Sequence, residues 1–199
     1  MKKVLLIALF FGTASISTAQ TGPRRAEECK LTLSQAPMIR GIRLGTNVDQ
    51  TLAVFPGAAD DQALRERLSG VHFGSQKVML APGKYGSKEK FEGVKSVYLG
   101  FLDGQLNFFS LTYDGPEWNT NEQFASKVAE ALSLPAVESW RQAQGGMALA
   151  CDGFAVTVAR GGGENGPSIS LKNLQIDIDK IVRERAEEPK EKARRAFKP

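Results

Sequence analysis

Residues 94–113 read VKSVYLGFLDGQLNFFSLTY, two β-rich runs on either side of Asp103-Gly104. Asp-Gly between alternating apolar residues is the signature of a two-residue type I′ hairpin, because both central positions need positive φ. Setting that turn pairs Leu102 with Gln105, Phe101 with Leu106 and Leu99 with Phe108. By period-two alternation Val97, Leu99, Phe101, Leu106 and Phe108 then share a core face. The opposite face carries Tyr98, Leu102, Phe109, Leu111 and Tyr113 among Ser96, Gly100, Gln105 and Asn107. Of these, Tyr98, Phe109 and Tyr113 form the candidate binding face, since outward aromatics among polar neighbours suit recognition. The competing reading is that the protein's own chain covers them.

Downstream the pattern repeats. Thr120 and Gln123 form a capping box for a helix carrying Phe124, Val128, Ala131 and Leu132 on one stripe, ended by Pro135. Strand-like segments come next at Glu138–Ala143, Met147–Cys151, Phe154–Arg160 and Ser168–Leu171. A second Asp-Gly, Asp152-Gly153, joins the middle two. In that register Met147, Leu149, Cys151, Phe154, Val156 and Val158 share a face, opposite Ala148, Ala150 and Ala155.

Upstream, Cys29–Leu33 reads as a short strand. Thr46 or Asn47 caps a helix with Val48, Leu52 and Phe55 on one face, stopped by Pro56-Gly57. Asp60–Leu68 is a second helix and Lys77–Ala81 a strand. Both halves, 29–115 and 116–172, therefore run from helix to antiparallel strands around an Asp-Gly turn. The expected fold class is α+β, with tandem helix-plus-antiparallel-sheet units in one region, 29–172. An undivided α+β domain is the alternative.

The ends read differently from the body. Lys2, Lys3, the apolar run Val4–Phe11 and Ser17-Thr18-Ala19 make a signal peptide for residues 1–19, cleaved after Ala19. Its style is bacterial, so the product is expected in the periplasm or outside the cell; a retained anchor is the alternative. Residues 20–28 are a flexible lead-in. Cys29 and Cys151 are the only two cysteines, and in an exported chain they are expected to pair. From about Asn173 to residue 199 the chain reads as an amphipathic helix running into a disordered basic tail. Leu174, Ile178, Ile181 and Val182 supply the helical spacing.

The whole chain has 199 residues, 26 basic, 22 acidic and one histidine, with 42% hydrophobic residues. That composition is globular and excludes a disordered, collagenous or multi-span chain. Eight of the basic residues lie in 179–199, leaving residues 20–178 with sixteen basic and seventeen acidic groups. Such a body offers no basic face for nucleic acid. One histidine and two cysteines provide no metal set, and no cofactor motif is present. Gly161-Gly162-Gly163 lacks the Lys-Ser/Thr of a phosphate loop.

Residues 41–56, GIRLGTNVDQTLAVFP, resemble the opening of small exported bacterial helix–sheet modules. These include the beta-lactamase inhibitor protein and the small lipoprotein of the outer-membrane β-barrel assembly machinery. The resemblance implies a helix–sheet fold and a binding function, and it assigns no residues. No cysteine stands at the cleavage point, so a lipid anchor is not expected. The functional expectation is a non-catalytic protein-binding or envelope-associated module whose partner is another envelope or secreted protein. The tail is expected to be a solvated, inert segment; the alternative is a weak, salt-sensitive electrostatic contact with anionic envelope material. The alternative is a hydrolase-type enzyme assembled from distant residues such as His72 and Asp60.

Overall fold

The computed structural model describes residues 28–69, 75–85, 89–162 and 165–176. In chain order these form α1 (Val48–Leu52), α2 (Gln62–Ser69), β1 (Ser75–Leu80), β2 (Val94–Leu102) and β3 (Gln105–Tyr113). They continue with α3 (Asn121–Ala131), β4 (Arg141–Ala143), β5 (Gly146–Ala150), β6 (Phe154–Ala159) and β7 (Ser168–Asn173). All seven strands join one antiparallel sheet in the order β1-β2-β3-β7-β6-β5-β4. The fold is α+β. The strands before α3 and those after it are two meanders, joined along β3 and β7 at the centre of the sheet.

The Asp103-Gly104 turn has φ of 50° and 76° at its two residues, as a type I′ turn requires. Leu102 faces Gln105 and Phe101 faces Leu106, as the sequence predicts. The expected Leu99–Phe108 pair does not form. A β-bulge at Asn107 inserts one residue into β3, so Gly100 faces Phe108 and Leu99 faces Phe109. Beyond the bulge every β3 side chain changes face. Phe109 and Leu111 enter the core beside Val97, Leu99 and Phe101, each at most 1% exposed. Phe108 turns to the other side.

The β5–β6 hairpin keeps its expected register, Met147 against Val158 and Leu149 against Val156. Met147, Leu149, Cys151, Phe154, Val156 and Val158 are all buried. Its turn differs from the first: at Asp152-Gly153 only the glycine has positive φ, 87°. Asp152 is held instead by its N–H donating to Leu31 O at 3.0 Å.

Helices cover the buried face. Thr120 Oγ1 accepts from Gln123 N–H at 3.1 Å and starts α3, whose Phe124, Ala125, Val128 and Ala129 are buried. Asn47 Oδ1 accepts from Gln50 N–H at 2.8 Å and starts α1. That helix ends earlier than predicted, at Leu52, and tighter turns deliver Phe55 to stack on Phe91 at 4.9 Å. Asp61 Oδ1 accepts from Leu64 N–H at 3.0 Å at the start of α2.

Two predicted strands are revised. Cys29–Leu33 makes only a bridge from Thr32 to Asp152, with a 3₁₀ turn after it at Leu33–Gln35. Glu138–Ala143 begins as a 3₁₀ turn, Val137–Ser139, and only Arg141–Ala143 is a strand. Cys29 and Cys151 form a disulfide with Cα atoms 4.7 Å apart, tying the start of the described chain to the end of β5. Residues 174–176 are helical, and the buried Asn173 Oδ1 accepts from Gln175 N–H at 2.9 Å to start them. The signal peptide, the lead-in up to residue 27 and the tail beyond residue 176 lie outside the described residues. Among the described residues no helix is long and apolar enough to cross a membrane.

Candidate functional site: the open face of the sheet

The face turned away from the core is built by strand alternation. Side chains that alternate with Val97, Leu99, Leu111, Ile169, Leu171, Val156 and Val158 must point the other way. Following the ladder partners gives one row through all seven strands: Met79, Tyr98, Ser110, Ser170, Thr157, Ala148 and Arg141. A second row holds Lys77, Gly100, Phe108, Lys172, Ala155 and Ala150. A third holds Ser96, Thr112, Ser168 and Ala159. The rows are small and hydroxyl-bearing at the centre, and Ser170 Oγ donates to Ser110 Oγ at 2.9 Å.

At the β1 edge the surface becomes apolar. Met79 is 71% exposed. Tyr98 and Phe108 meet edge to face, with centroids 5.8 Å apart and planes at 72°. Gly100 makes room for this pair, because a Cβ there would lie 3.3 Å from Phe108 Cβ. Lys77, Lys172 and Arg141 are exposed, and these three rows contain no carboxylate.

The three aromatic residues predicted as one binding face occupy three different places. Tyr98 is on the open face. Phe109 is fully buried in the core, moved there by the Asn107 bulge. Tyr113 is half-buried on the helix side, where desolvation raises its phenol above the ordinary range and the Arg40 charge partly opposes the shift. Phe108, assigned by sequence to the core, takes the outward place of Phe109. The adjacent Phe108-Phe109 pair leaves both parities apolar, so alternation alone has no basis for choosing between them.

A polar cluster occupies a separate place. Lys84 Nζ donates to Asp61 Oδ2 at 2.8 Å and Tyr85 Oη donates to the same oxygen at 3.1 Å, beside a cavity of about 350 Å³. Hydrogen bonds from Lys84, then from Leu64 N–H and Tyr85, hold the pKa of the Asp61 carboxyl at about 2, and the same Asp61 bond raises that of Lys84. Each member satisfies another, and Asp61 also starts α2, so the cluster acts as a strut for the Pro82–Tyr85 turn. Asp60 is exposed just before α2, and His72 lies outside the described residues. Among the described residues no group of three His, Cys, Asp or Glu converges as a metal site would require. No family model, no curated protein and no solved structure matches this chain.

Proposed function

We propose that this chain is an exported, non-catalytic protein-binding module that receives its partner on the open face of the sheet. The observation carrying this reading is the row from Met79 to Arg141, which crosses seven strands opposite the helix-covered core. Strands about 4.8 Å apart and same-face residues about 6.7 Å apart make three such rows a surface of roughly 600 Å². That approaches the ~800 Å² per partner of a standard protein interface. Small hydroxyls and alanines allow close approach of a partner's side chains, and Tyr98, Phe108 and Met79 supply an apolar anchor. Lys77 and Arg141 favour a partner whose docking surface is acidic, and they accelerate its encounter.

Export is part of the reading. The signal-peptide pattern in residues 1–19 supports it, and a disulfide is the bond an oxidising compartment maintains. The test uses the chain from Gln20 as bait in envelope and culture extracts of its own source. Thr157→Glu and Ser170→Glu place carboxylates at the centre of the open face. They are expected to abolish retention of a reproducible partner while leaving the melting temperature unchanged. Lys127→Glu, on the exposed side of α3, is expected to retain it. Equal retention by all of these variants, or retention of nothing above a denatured-bait control, contradicts the proposal.

A further inference from the structure

A cavity lies on the helix side of the sheet, apart from the open face and independent of its reading. The chain leaving β3 at Tyr113 runs through Asp114-Gly115-Pro116 to Glu117, Trp118 and Asn119 before α3 begins. With Gln123, Phe124, Pro167 and Ile169 this connection lines an open groove of about 540 Å³. That volume lies within the span of small-molecule sites, about 300–1,000 Å³. Its apolar wall is aromatic: Trp118 stacks on Phe124, with centroids 5.4 Å apart and planes at 27°.

The loop is fastened rather than loose. Arg160 Nη1 donates to Glu117 Oε1 at 2.6 Å, to Trp118 O at 3.2 Å and to Asn119 O at 3.4 Å. Trp118 N–H donates to Arg160 O at 3.1 Å, and Arg160 N–H donates to Asn121 Oδ1 at 2.9 Å. One arginine thus fixes the segment that carries Trp118 and neutralises Glu117. A site held in place before ligand arrives loses less ordering entropy on binding.

The polar side chains around the groove, Asp114, Glu117, Asn119 and Gln123, are exposed and open to a ligand. Among the described residues Tyr113 Oη, Trp118 Nε1, the Asp114 carboxylate and Glu117 Oε2 make no hydrogen bond, and neither do the side-chain amides of Asn119 and Gln123. They are donors and acceptors in mixture, set around an aromatic wall. An alkyl ligand would desolvate them without replacement, and an anion would meet the Asp114 carboxylate, which no described cation pairs. We propose that the cavity binds a neutral sugar, one or two pyranose rings. A ring's C–H face lies on Trp118 and its hydroxyls both donate to Asp114 and Glu117 and accept from Asn119, Gln123 and Trp118 Nε1–H. This is the chemistry that answers mixed donors and acceptors beside an apolar plate without adding charge.

The chain has two tryptophans, and Trp140 is buried with its Nε1 donating to Pro135 O at 3.0 Å. Trp118 emission and its indole N–H resonance therefore report on the cavity. The probes are cellobiose, chitobiose and lactose, titrated into the disulfide-intact chain from Gln20. At least one is expected to give a saturable Trp118 change with a dissociation constant of about 1 mM or below. Asp114→Ala and Gln123→Ala are expected to weaken it about tenfold or more, read on the same Trp118 signal with an unchanged melting temperature. Trp118→Ala is expected to abolish the heat of binding in calorimetry. No saturable change with any disaccharide up to about 10 mM overturns the proposal. So does saturation by an arginine-containing peptide with the sugars inert, which would assign the site to a protein cation, and so does binding unaffected by Asp114→Ala.

Discussion

The two hairpins of this sheet share an Asp-Gly turn and differ in the strands beyond it. In β5–β6 the turn is loosely typed, with one residue at positive φ, yet the register is regular and every apolar residue lands on the expected face. In β2–β3 the turn is a full type I′ turn, yet one bulge at Asn107 reverses the faces of everything past it. Turn chemistry fixes the first pairs; it does not carry parity along the strand. The reversal places Phe108 beside Tyr98 on the open face and removes Phe109 from it.

The hairpins also differ in what ties them down, and the largest expected effect tests this. The β5–β6 turn is bridged through Cys151 to Cys29, closing a sequence separation of 122 residues. Replacing both cysteines by serine is expected to lower unfolding free energy in urea by about 4–5 kcal/mol, the chain-entropy upper value. Hydrogen exchange should then accelerate around Cys151–Phe154 more than around Leu102–Leu106. Uniform acceleration would show that the bridge does not act locally.

The bulge itself is tested by neighbouring phenylalanines. Phe109→Ala should cost about 3–5 kcal/mol, as a fully buried ring does. Phe108→Ala should cost only about 1 kcal/mol, the loss of a half-exposed edge-to-face contact with Tyr98. Reversed magnitudes in equilibrium unfolding would restore the unbulged register.

The turns give a smaller contrast. Gly104 holds φ at 76°, where a Cβ is strained by its own backbone, so Gly104→Ala should cost about 1–2 kcal/mol and Gly104→Asn less. Gly153→Ala should cost more, since its Cβ would also lie 3.3 Å from Leu33 Cβ. Thermal denaturation of the three variants checks the order.

The smallest effect is electrostatic. The Asp61 carboxyl is held at about 2 against an ordinary 3.8, by Lys84 first, so its contribution is complete above about pH 4. It is lost as pH falls through about 2, where the carboxylate takes up its proton in the folded state. The stability gap between wild type and Asp61→Asn should therefore narrow steadily as pH falls from about 4 to about 2. A gap that stays constant over that window would mean the Lys84 bond is not formed in solution.

Much of the fold was legible. Local rules placed α3 by its Thr120 cap, the two Asp-Gly hairpins, and the disulfide by cysteine count and the signal-peptide pattern. The bulge was not legible, because Phe108-Phe109 satisfies either parity and Asn107 carries no mark of an extra residue. The short Cys29–Leu33 segment has strand-like residues but pairs only through Thr32 with Asp152, so propensity had too little partner backbone to act on. Of the site, Tyr98 was placed correctly by alternation. The row from Met79 to Arg141 depends on β3 meeting β7, a long-range pairing that no local pattern specifies. The Trp118 cavity is assembled from residues 113–124 and 167–169, and the Arg160 clamp that fixes it is equally non-local.

The proposed docking of a protein partner on the open face is tested by a photoreactive amino acid placed at Thr157, in the middle of the seven-strand row, in cells of the natural source. A single major protein adduct is expected from Thr157, absent when the same group replaces Lys127 on α3. An adduct of the same mass from Lys127, or none from Thr157 with the protein folded and exported, would contradict docking on the open face.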